Sequence, residues 1–138
     1  MTGSRRLACG VAVNDRVSAV APDELREGAP TPGVRRELAF DTERATLMRA
    51  RAEPQAVTGW HHHGERDVLG YVVRGRARFD FGPGGRDSVE VEEGGFFRVP
   101  AGLVHRDVNP LDEPQEIVLA VVGGGPLVVN LDGPEATP

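Results

Sequence analysis

Short apolar runs, punctuated by glycine and proline, leave this chain little room for helices. Eighteen glycines and eleven prolines are spread over 138 residues. Proline stops a helix by removing a donor, and glycine supplies the backbone freedom of tight turns. Strand candidates follow at regular spacing over 34–40, 45–52, 68–73, 76–81, 88–91, 96–99, 104–108, 116–122 and 127–131. The run 76–81 shows the period of two most clearly, with Arg76, Arg78 and Asp80 on one parity and Ala77, Phe79 and Phe81 on the other. A shorter strand is expected over 17–20. One helical turn is expected over 22–28, where Pro22 comes early and Gly28 stops it. The pattern divides the chain into an N-terminal arm over 1–33, an all-β body over 34–131, and a flexible polar tail over 132–138. It leaves a sandwich and a jelly-roll barrel as alternatives.

The four histidines occupy only two places. His61, His62 and His63 form one run, and His105 stands alone. Neutral imidazole is the commonest protein ligand for transition metals. Residues i and i+2 on a strand point to the same face, so His61 and His63 can act together while His62 points away. A third nitrogen from a distant strand would complete a site suited to Fe, Zn, Cu, Ni or Mn.

The stretch from Gly94 to Asn109 carries a specific signature: Gly94, five residues, Pro100-x-Gly102, two residues, His105, three residues, Asn109. It closely resembles the second motif of the cupin family. The first cupin motif is matched by His61-x-His63 and by Gly75, with two departures. Gln55 stands where the first glycine is usual, and Val68 stands where a glutamate ligand is usual. The resemblance covers about residues 45–122. It implies a double-stranded β-helix, an antiparallel jelly-roll barrel, holding one divalent transition metal per chain on His61, His63 and His105. It also implies a homodimer.

Without the motif-one carboxylate, the expected donor set is neutral and the metal electron-poor, with open positions. That set is similar to the one used by three-histidine dioxygenases. The leading expectation is therefore an Fe(II)-dependent dioxygenase acting on a small chelating substrate. Two alternatives stand beside it: non-redox isomerase, cyclase, lyase or decarboxylase chemistry, and a non-catalytic small-molecule-binding cupin. Glu65 is a candidate extra ligand from the charged loop after His63. Tyr71 is a candidate acid or hydrogen-bond donor, and Arg49 a candidate clamp for a substrate carboxylate.

Bulk properties exclude several classes. The net charge is −5, and all sixteen cationic residues are arginine. No basic stripe alternates with aromatics, so nucleic acid is not an expected partner. The absence of lysine removes Schiff-base chemistry. The single Cys9 cannot form an internal disulfide. No run is apolar and long enough for a membrane span, and residues 7–13 are too short and broken for a signal segment, so a cytoplasmic protein is expected.

Overall fold

The computed structural model describes residues 4–6, 12–29 and 31–135. Cys9 and the last three residues of the tail lie outside the described residues. The strands are β1 (Ser4–Arg6), β2 (Ala12–Asn14), β3 (Arg26–Glu27), β4 (Val34–Asp41), β5 (Ala45–Ala52), β6 (His61–His62), β7 (Asp67–Arg74), β8 (Arg76–Phe81), β9 (Asp87–Glu92), β10 (Phe96–Val99), β11 (His105–Val108), β12 (Gln115–Val122) and β13 (Val129–Asn130). Apart from a β1–β2 hairpin, they form two antiparallel sheets. The six-stranded sheet has the order β10-β7-β12-β5-β4-β3, and the five-stranded sheet β13-β6-β11-β8-β9. Their facing sides bury one core. Met48, Val68, Val72, Ile117 and Val121 come from the first sheet, and Ala77, Phe79 and Val91 from the second. Two sheets closing on a shared interior in this way make the jelly-roll barrel expected from the motifs.

Alternation places the core. On β5, Thr46, Met48, Ala50 and Ala52 are buried, while Leu47, Arg49 and Arg51 face outward. On β7, Val68, Gly70 and Val72 are buried, while Leu69, Tyr71 and Val73 are exposed. The outer face of β4 and β5 also holds a buried acid. Glu37 is 6% exposed and is covered by Arg49 at 3.0 Å and Arg51 at 2.9 Å.

Three expectations differ from the fold. Residues 17–20 form no strand: Val17 is 96% exposed, and the segment has neither a partner nor a face to bury. The helical turn over 22–28 contracts to one 3-10 turn, Pro22–Glu24, followed directly by β3. Glu24 holds this turn by accepting a hydrogen bond from the Ala21 N–H at 2.8 Å. The last strand is only Val129–Asn130, matching the two residues of its partner β6, and the Leu127 carbonyl before it accepts a hydrogen bond from a histidine ring. The two-residue strands β3 and β6 were too short for periodicity to reveal.

Two backbone positions bear directly on the site. Gln55 has φ 58°, the only positive φ of a non-glycine residue among the described residues. It occupies the slot where the resemblance leads one to expect glycine, so the conformation persists without the residue that favours it. The Gln55 N–H holds it by donating to Leu111 O at 2.9 Å. At Gly70, an added Cβ would lie 2.1 Å from Phe97 Cζ. Phe97 in turn packs against Phe79, with ring centroids 4.6 Å apart.

Gly70→Ala is expected to destabilise the fold by about 1–3 kcal/mol through overpacking, read as a lower urea midpoint. Gln55→Gly should raise stability by up to about 1 kcal/mol by relieving the left-handed strain. Burial pushes the Glu37 carboxyl up, but its bond to Arg49, with the charges of Arg51 and Arg35, holds it below its usual 4.5. A carboxylate depressed in the fold contributes stability above its unfolded value, and this is lost as pH falls through the folded value. Urea titrations should therefore show wild type exceeding Glu37→Gln at neutral pH, with the gap closing below pH 4.5. A pH-independent gap would contradict this.

Candidate metal centre

The site is built on strand pairing. His61 on β6 lies directly opposite His105 on β11. Both are 2% exposed. His63 follows β6 with the parity of His61. The side-chain nitrogens of these three histidines lie within 4.8 Å of one another.

Each ring is oriented by a backbone carbonyl. His61 Nδ1 bonds to Gly59 O at 2.8 Å, His63 Nδ1 to Leu127 O at 2.7 Å, and His105 Nδ1 to Leu103 O at 2.9 Å. A carbonyl oxygen only accepts, so Nδ1 carries the proton in all three and each neutral ring presents a lone pair at Nε2. Carbonyl-anchored imidazoles of this kind are typical of metal-ligating histidines. His62 behaves differently. Its Nδ1 accepts the Gly64 N–H at 2.9 Å, and its ring stays outside the cluster.

Two residues complete the interior. Asp107, two positions after His105 on β11, places Oδ1 3.3 Å from His105 Nε2 and 3.8 Å from His61 Nε2. About a third of its side chain remains open, yet Oδ1 itself is buried and, like His61 Nε2, has no hydrogen-bond partner. Arg36, inward on β4, donates to Thr31 Oγ1 at 2.5 Å. The sequence reading missed both residues. The parity rule that paired His61 with His63 would have paired Asp107 with His105, and Arg36 shares its parity with the half-buried Leu38.

The electrostatics keep two of the nitrogens neutral and pair the third with a carboxylate. Burial lowers His61, and lowers His63 to about 4, so both are neutral at physiological pH. Burial also pulls His105 down, but the facing Asp107 carboxylate outweighs it and the net direction is up. Burial pushes Asp107 up, while His105, then His61 and His63, bring it well below the usual carboxylate range. His61 Nε2 and Asp107 Oδ1, buried and facing one another, both lack a hydrogen-bond partner. A divalent ion about 2.1 Å from each nitrogen would satisfy them, and the rings need move less than about 1 Å to reach that distance. The residues present fit a metal.

The other candidates lie elsewhere. Tyr71 is on the outer face of β7, packed on Phe96 with ring centroids 4.8 Å apart. Arg49 is on the outer face of β5, paired to Glu37. Glu65 is exposed, and its neighbour Asp67 is engaged by Arg98 and the Ala101 N–H. Val68, in the motif-one carboxylate slot, is 3% exposed and lines the cavity above the histidines. That cavity, of about 350 Å³, is walled by Met48, Phe79, Phe97, Ile117, Leu119 and Val121. Trp60 does not reach it; its ring lies under Arg106 at 4.8 Å.

The family model described as the cupin domain matches residues 48–134. The chain belongs to the cupin family. A search of curated proteins finds no match at a significant level. Among solved structures, this cupin is similar to the polyketide cyclase RemF from Streptomyces resistomycificus, with TM-score 0.70 and 18% identity, covering 84% of this chain and 86% of that one. It is similar to KdgF from Halomonas sp., with TM-score 0.64 and 22% identity over 79% and 96% of the two chains. It is also similar to oxalate decarboxylase from Bacillus subtilis, with TM-score 0.64 and 21% identity; there the match covers 74% of this cupin and only 28% of the decarboxylase. These likenesses describe the fold. No helix among the described residues of this cupin is long and apolar enough to cross a membrane.

Equilibrium dialysis should recover one divalent transition ion per chain. Alanine at His61, His63 or His105 should weaken binding at least about 100-fold, given that even outer-shell changes cost 10–100-fold. His62→Ala should bind as wild type does.

Proposed function

We propose that this cupin is a metal-dependent enzyme that carries out non-oxidative chemistry on a small, largely apolar carbonyl compound bearing an anionic group. One observation supports this above the rest: three histidine rings cluster, two of them lining a largely hydrocarbon cavity whose one arginine is Arg36. A divalent ion held by His61, His63 and His105 would supply Lewis acidity to a substrate oxygen. Phe79, Phe97, Met48 and Leu119 would enclose the substrate body and exclude water, which strengthens the electrostatics inside. Arg36 would receive the anionic group with its planar donor fork. Isomerisation, cyclisation and decarboxylation fit this arrangement, and a polyketide cyclase and an oxalate decarboxylase share the fold. Manganese occurs in the oxalate decarboxylase of Bacillus subtilis, and manganese, zinc, nickel and copper all suit mixed nitrogen and oxygen donors.

The second reading is an Fe(II)-dependent dioxygenase. Val68 favours it, because hydrocarbon fills the motif-one carboxylate slot and leaves the three-histidine set neutral. The buried Asp107 oxygen weakens it, since the electron-poor centre it assumes would have a carboxylate beside one of its ligands, 3.3 Å from His105 Nε2.

A panel of β-keto acids and hydroxy acids, assayed anaerobically with manganese, zinc or nickel, should show turnover. Arg36→Gln should raise KM about 10–100-fold for anionic substrates, corresponding to the loss of a charged hydrogen bond worth about 1.5–3 kcal/mol, with a smaller effect on kcat. Stoichiometric oxygen uptake with Fe(II), combined with no anaerobic turnover, would replace this reading with the dioxygenase.

A further inference from the structure

The missing motif-one carboxylate has a counterpart on another strand. We infer that Asp107 is the carboxylate ligand of the metal centre, transferring that donor from the Val68 position on β7 to β11. The inference rests on the metal-site reading above and extends it to a fourth protein donor.

The geometry supports it in three ways. Donors about 2.1 Å from one ion and adjacent in its coordination shell are about 3.0–3.4 Å apart, and opposite donors about 4.2 Å. Asp107 Oδ1 lies 3.3 Å from His105 Nε2 and 3.8 Å from His61 Nε2, within that span for both. Next, Oδ1 and His61 Nε2 are buried acceptors with no donor between them, an arrangement that a cation completes. Finally, the backbone at Asp107 is fixed. Its N–H donates to Thr58 Oγ1 at 2.9 Å, and its carbonyl accepts the Thr58 N–H at 2.9 Å. The strand therefore fixes the Asp107 Cβ on the histidine face.

Val68 supplies the control. Its buried side chain lines the same cavity on the facing sheet, so a glutamate there would reach the ion from the family's usual side. Four proteins test the assignment: wild type, Asp107→Asn, Asp107→Ala, and the double variant Val68→Glu with Asp107→Asn. Each is checked for folding by thermal melt and titrated with Co(II) and Mn(II), reading affinity by competition, the Co(II) visible spectrum, and the Mn(II) resonance.

Asp107→Asn is expected to weaken Co(II) binding at least 10-fold and to change its spectrum, and Asp107→Ala to do so at least as strongly. The double variant should regain affinity to within about threefold of wild type. Unchanged affinity and spectra in folded Asp107→Asn and Asp107→Ala, with wild type binding one ion, would overturn the Asp107 assignment and leave the three-histidine site standing. Failure of wild type to bind either ion would overturn both.

Discussion

Three hydrogen bonds from Nδ1 to backbone carbonyls govern this molecule. Gly59, Leu103 and Leu127 each hold one imidazole with its lone pair turned inward. The carbonyls come from three separate chain segments, so the site forms only when β6, β11 and the segment before β13 are all docked. Much of the architecture follows from that requirement. The Leu127 carbonyl, just before β13, serves His63, and the Leu127 side chain lies at the cavity wall.

Burial then determines the chemistry. An apolar interior disfavours protonated imidazole and uncompensated carboxylate alike. His61 and His63 respond by staying neutral. His105 and Asp107 respond as a pair, each shifted toward its charged form by the other. The cluster is thus held between two ways of satisfying its acceptors, a shared proton or a shared metal ion.

Much of the barrel was legible because its strands alternate and its turns are marked by glycine and proline. Arg76–Phe81 and Ala45–Ala52 coincide with their expected bounds. The clustering of His61, His63 and His105 was legible because spacing in two motifs singles them out. What escaped was governed by tertiary context. Residues 17–20 have a strand's composition and no partner strand. Gln55 keeps a glycine's backbone conformation, so a mismatch at the level of residue type conceals a match in geometry. Asp107 was concealed by its surroundings in sequence: between Arg106 and Val108 it reads as a surface acid, and only the parity of β11 turns it inward. The outward positions of Tyr71 and Arg49 follow from the same parity on β7 and β5.

The two sheets contribute unlike walls to one cavity. β6 and β11, with the residue after β6, bring imidazole and carboxylate; β5, β7 and β12 bring hydrocarbon; and Arg36, from β4, adds a positive charge. A space bounded by a polar wall, an apolar wall and a separate cation need have no mirror plane. A molecule gripped at all three would present one face to the histidines and keep the other against valine and leucine. The handedness of any product would then be set by which residues on each strand point inward.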